Sequence, residues 1–175
     1  IVNRTDNQYA FSDRTDLTSI EIPSSVISIG ACAFASCDSL KSITIPNGVT
    51  GIAYGMFAKC YNLESAAMPD SVTSIGDHAF DGCENLTSIA KEISIGDYAF
   101  AYCRSLTNIT IPNGLTSIGE KAFDGCSNLM SVIIPNSVIN IGDFAFSGSR
   151  LNSITIPNGV TSIGNNVFRV CRNLT

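Results

Sequence analysis

Leu106-Thr-Asn-Ile109-Thr-Ile111-Pro112-Asn-Gly114-Leu115-Thr-Ser-Ile118-Gly119-Glu-Lys-Ala122-Phe123-Asp-Gly-Cys126-Ser-Asn128 is one complete copy of a pattern that recurs along the chain. Written generally it is L-x-x-I-x-I-P-x-x-V-x-x-I-G-x-x-A-F-x-x-C-x-x. Upstream, Leu17, Leu40, Leu63 and Leu86 follow one another at intervals of 23 residues. From Leu86 onward, Leu106, Leu129, Leu151 and Leu174 follow at 20, 23, 22 and 23. Self-similarity at this period is the signature of a solenoid, in which no repeat can bury its apolar residues alone and stacked repeats bury them against each other.

Each part of the pattern has a physical reading. Leu40, Ile43 and Ile45 alternate with polar residues and suit a short strand with one buried face. Pro46 ends it, because proline cannot donate to a ladder, and Asn47-Gly48 is a turn pair. Val49 and Ile52 then return inward. A small polar or acidic residue follows the recurrent glycine, as in Asp77, Asp97, Asp143 and Asn165, and is expected to start a short helix by accepting from free backbone N–H groups. Ala-Phe-x-x-Cys then sets Phe and Cys on one side of a helical turn. The expected fold is a leucine-rich-repeat solenoid, a curved right-handed coil. It has short parallel strands on the concave face and short helical turns or irregular structure on the convex face. The phenylalanines Phe34 through Phe168 should form its strongest column.

Two copies are trimmed. Between Ile89 and Gly96 three residues and the proline are missing, and between Phe146 and Leu151 one residue is missing, with Ser149 in the usual Cys place. Turn segments tolerate such losses. The chain opens inside one repeat and stops at the start of another, with no polar cap. Residues 1–175 are therefore expected to be a single repeat domain cut from a longer protein.

Composition narrows the function. Charged residues are 14 % of the chain, so Ser, Thr and Asn must cover much of the surface. Net charge is −5, which argues against nucleic acid and anionic membranes as partners. No apolar run approaches the ~20 residues of a membrane helix, so direct membrane insertion is not expected.

The candidate chemistry is sparse. Six of the seven cysteines (Cys37, Cys60, Cys83, Cys103, Cys126, Cys171) share the repeat position and are expected to be buried free thiols. Cys32 stands apart, and a Cys32–Cys37 disulfide is its alternative to an exposed thiol. No C-x-x-C pair suggests a metal site. The acidic residues Asp77, Asp81, Asp97, Glu120, Asp124 and Asp143 do not cluster as calcium loops do. His78, the sole histidine, falls at a variable position two residues before Phe80. It reads as solvent-facing, and no catalytic residue is assigned. No cofactor is expected.

The outward strand positions read as a Ser/Thr carpet. Its partner-binding candidates are Glu21, Lys41, Thr44, Glu64, Thr87, Thr110 and Thr155. Lys91 and Glu92 in the trimmed repeat, and Tyr61, Tyr98 and Tyr102 on the other side and flank, complete the set. Larger side chains gather on that other side (Tyr54, His78, Phe144, Arg150, Arg169), and protein hot spots favour Tyr, Trp and Arg.

The recurring positions resemble the leucine-rich repeats of the BspA-like, or Treponema-type, family over essentially the whole chain. The departures are Ala53 for Gly, Met56 and Val167 for Ala, and Ser149 for Cys. The resemblance implies an extracellular or cell-surface protein, of a kind found on mouth and gut bacteria, spirochaetes and some protists. It also implies adhesion to host matrix, host-cell or microbial surface proteins. A structural spacer presenting another domain, and a glycan-binding module using the tyrosines, are the alternatives.

Overall fold

The computed structural model describes residues 9–87, 94–111 and 113–175. Each repeat makes one coil, and two parallel ladders run along the stack. The first is formed by the strands expected from sequence: β1 (Ser42–Thr44), β3 (Ser65–Ala67), β6 (Asn108–Thr110) and β8 (Ser131–Ile133). β1 pairs with β3 in the register Ile43↔Ala66, and β6 with β8 in the register Ile109↔Val132. Ile43 is buried between exposed Ser42 and Thr44, as the alternation requires. Proline then closes the corner: Val49 N–H donates to Pro46 O at 3.0 Å, and Val138 to Pro135 at 3.1 Å.

The second ladder was not anticipated. β2 (Gly51–Ile52), β4 (Ser74–Ile75), β5 (Ser94–Ile95), β7 (Ser117–Ile118), β9 (Asn140–Ile141) and β10 (Ser162–Ile163) form one continuous six-stranded parallel sheet. The segment read only as an inward return is thus a strand in its own right. Two residues per coil give a strand too short to leave an alternation in the sequence.

The expected short helix is replaced by a string of tight turns. Ala33 N–H donates to Gly30 O, Ala35 to Cys32 and Cys37 to Phe34, at 3.1–3.3 Å. The intervening N–H groups point along the solenoid axis instead. Cys32, Phe34 and Ser36 donate to Tyr54 O, Met56 O and Ala58 O of the next coil at 2.8–3.0 Å. The reason is backbone handedness. Cys32 (φ 53°) and Ser36 (φ 57°) lie in the left-handed region, which an α-helix of L-residues cannot include. Every second donor is thereby freed to tie one coil to the next.

The acidic residue after the glycine also works between coils. Asp97 N–H donates to Asp77 Oδ1 at 2.9 Å, Glu120 N–H to Asp97 Oδ1 at 2.7 Å, and Asn165 N–H to Asp143 Oδ1 at 2.7 Å. These bonds hold the Asp143 carboxyl below its usual range. They require close approach at the glycine column, where a Cβ on Gly142 would lie 2.6 Å from Glu120 N. Gly142→Ala is therefore expected to cost about 1–3 kcal/mol in urea unfolding, because a rigid backbone atom must move. An unchanged midpoint would show that the coils have slack there.

Inside, Phe34, Phe57, Phe80, Phe100, Phe123 and Phe146 are buried and stack nearly parallel, with half-buried Phe11 and Phe168 at the ends. Their centroids are 5.3–5.9 Å apart. Alongside runs the cysteine column. Cys60 Sγ donates to Phe34 O at 3.0 Å, Cys83 to Phe57 O at 3.1 Å, and Cys126 to Phe100 O at 3.1 Å.

Candidate interaction surface

All seven cysteines are free thiols. Burial pushes the Cys60 thiol up to about 12, and raises Cys83, Cys103 and Cys126 well above the ordinary thiol range. A thiol held protonated is a poor nucleophile and a poor metal ligand, so this column is structural. Cys32 is part-exposed, and its Sγ lies over the next coil, where a Cβ on Gly55 would come within 2.9 Å.

The strand face is as plain as its sequence. Glu21, Lys41, Thr44, Glu64, Thr87, Thr110 and Thr155 are all exposed on it, while Lys91 and Glu92 lie outside the described residues. Among its described residues the large exposed apolar side chains are Met130 and Ile133, the latter 74 % exposed. An opening of about 540 Å³ adjoins Ile133, between 131–136 and 153–158 of the following coil.

The turn side is different. At His78, Tyr98, Lys121 and Phe144 the variable position two residues before the core Phe is half-buried, not simply solvent-facing, and it stacks. His78 lies 4.6 Å from the Tyr98 ring at 14° and 5.5 Å from Tyr54. The Lys121 ammonium sits 4.8 Å from the Tyr98 centroid and 5.5 Å from Phe144. The result is one unbroken aromatic and cationic stripe over five coils. Polar contacts fix its members: Lys121 Nζ donates to Tyr98 OH at 2.7 Å, Tyr98 OH donates to Glu120 Oε1 at 3.3 Å, and His78 Nδ1 is 3.0 Å from Asp81 Oδ2. The bond to Tyr98 raises the Lys121 ammonium above its ordinary value, so it stays charged. No serine hydroxyl is hydrogen-bonded to His78 among the described residues, so the arrangement offers stacking and charge, not nucleophile activation.

The three candidate tyrosines fall in different columns. Tyr98 belongs to the stripe. Tyr102 is 46 % exposed at φ 57°, its ring seated on Gly125, where a Cβ would approach to 2.6 Å. Tyr61 is exposed on the flank beyond Cys60. Sequence reading named most members of the stripe but missed their contact. The signal available was a common place in the repeat, at Phe minus two for His78, Tyr98, Lys121 and Phe144, with Tyr54 one residue earlier.

Two parallel ladders, a stacked interior and turns bonded coil to coil define a leucine-rich-repeat solenoid. The chain belongs to the BspA-type leucine-rich-repeat family, whose repeat region matches residues 5–92 and 93–175 in six copies. Among solved structures it is similar to a leucine-rich cell surface protein from Faecalibacterium prausnitzii A2-165, at 35 % identity and TM-score 0.80 over 88 % of this chain. It is also similar to a leucine-rich-repeat protein of T. pallidum, at 32 % identity and TM-score 0.81, covering 88 % of this chain and 76 % of that one. A leucine-rich-repeat protein from Bacteroides ovatus ATCC 8483 is 28 % identical over 96 % of this chain and 56 % of its own, with TM-score 0.67. The chain spans 45 % of the Faecalibacterium protein. No functionally curated protein matches it. No helix among the described residues is long and apolar enough to cross a membrane.

Proposed function

We propose that this chain is a non-enzymatic, cell-surface interaction module that adheres to host or microbial surface proteins through its turn side. The observation that carries the reading is the stripe Tyr54–His78–Tyr98–Lys121–Phe144, flanked by exposed Tyr102. Rigid, half-buried aromatics are the side chains that supply binding energy at low entropic cost, and the Ser/Thr strand face has none. Kinship with a cell surface protein supports the location.

The test is direct binding to a panel of matrix, epithelial and bacterial surface proteins, with a glycan array alongside. Saturable binding to a protein should fall by about 30-fold or more when Tyr98 and Tyr102 are changed to Asn. Asn tolerates their left-handed backbone, as Asn166 does in the same column as Tyr98. The plain strand face favours a second reading, a spacer that holds another domain away from the surface. Absence of any panel binding at high micromolar concentration would support it over adhesion.

A further inference from the structure

Charge is unevenly placed along the solenoid. Residues 1–143 hold all 15 acidic residues and have a net charge of −8, whereas residues 144–175 hold Arg150, Arg169, Arg172 and no acid. All three arginines are exposed. None forms an ion pair among the described residues, whereas Arg14, Arg104 and Lys121 are each within 3.5 Å of a carboxylate. Arg150 and Arg172 occupy the same repeat position on neighbouring coils. The residues just before them, Ser149 and Cys171, touch at 3.1 Å, and Gly148 N–H donates to Arg169 O at 2.7 Å. The three arginines are therefore brought close together along the backbones of two adjacent coils.

We propose that Arg150, Arg169 and Arg172 form a docking surface for a short acidic segment of a partner protein, which deepens the protein-interaction reading above. Coils in register lie ~4.8 Å apart, and alternate side chains of an extended peptide ~6.6 Å apart. Two long arginine stems span that difference and present planar forks that grip carboxylates bidentately. Asp143 lies in the same coil as Arg150, and Asp124 in the coil before it. A long sulfated glycan or a nucleic acid tracking back along the solenoid would meet these acids, which belong to the net −8 of residues 1–143. A short carboxylate run needs to span only Arg150 and Arg172. Complementary charge of this kind steers encounter and fixes register.

The test uses the whole chain and a fluorescein-labelled Gly-Asp-Glu-Asp-Glu-Gly peptide, followed by anisotropy at low ionic strength, with a heparin tetrasaccharide as the competing probe. Saturable peptide binding is expected, weakening as salt rises. It should drop by about tenfold or more in Arg150→Glu/Arg172→Glu and stay unchanged in Lys41→Glu on the strand face. Both substituted arginines are exposed, so equal thermal unfolding confirms that the variant is intact. Peptide binding by the unmodified chain beside a failed surface-protein panel would separate failure of the aromatic site from failure of this one. Undiminished binding in the double arginine variant overturns the proposal. No binding by the unmodified chain, or tighter binding of heparin than of peptide, does so too.

Discussion

Phe100→Ala is expected to lower stability by about 3–5 kcal/mol, the range for deleting a fully buried phenylalanine from a packed core. Phe100 has no exposed surface and is sandwiched between Phe80 at 5.4 Å and Phe123 at 5.5 Å. Its carbonyl also accepts from Cys126 Sγ, so backbone displacement around the cavity would disturb the neighbouring coil. Phe168, half-buried with one ring neighbour at 5.9 Å, should cost clearly less when truncated. Urea unfolding of the two variants checks the difference. Equal losses would mean that the column is not stabilised by stacking between coils. Because repeat arrays gain stability from nearest-neighbour interfaces, the mid-stack variant should also broaden the transition as the two halves uncouple.

Alkali should unfold the protein over a defined window. The Cys60 thiol is raised from 9.0 to about 12 in the folded state, where the unfolded chain releases its proton near 9. Between those values the folded form binds more protons than the unfolded one, so stability falls as pH rises; below about 9 the contribution is fully present. For Cys60 alone the shift corresponds to about 4 kcal/mol by pH 12. Cys37, Cys83, Cys103 and Cys126 shift in the same direction through burial. Urea midpoints from pH 8 to 11 should fall steadily, and Cys60→Ser should fall less steeply. Serine already occupies the equivalent place at Ser149 and does not ionise there. At neutral pH, maleimide should label part-exposed Cys32 and Cys171 first, leaving the five buried thiols until the chain unfolds. Parallel slopes for the unmodified and Cys60→Ser proteins would refute the linkage.

The repeat, the inward ladder and the exposed strand positions were legible because each is a matter of burial, and burial writes itself as spacing. Ile43 between Ser42 and Thr44 is the plainest case. What was not legible depends on backbone sign. Nothing about His78, Tyr98 or Lys121 as residue types announces φ values of 56°, 57° and 51°, yet these turn a helix into turns that bond to the next coil. The same blindness misplaced the partners of Asp77 and Asp97. Acceptance of backbone N–H groups was correctly expected, but the donors belong to the following coil and not to a local helix. The stacked stripe escaped notice because four of its members share a column without sharing a chemistry, and Tyr54 joins it from the neighbouring column.

Along the turn side, each described coil offers the next the same row of N–H donors and meets there the same row of carbonyl acceptors. The 20-residue copy keeps that interface: Phe80 N–H meets Ala99 O at 2.8 Å, as Phe123 N–H meets Ala145 O at 2.8 Å in full-length copies. Any coil can therefore follow any other. At the level of the gene, unequal crossing-over between two in-frame repeats would delete or duplicate a coil and leave the interior intact. The molecule's reach would then change in steps of ~4.8 Å, with no new core to be invented. A lineage carrying such a gene can lengthen or shorten the solenoid one coil at a time.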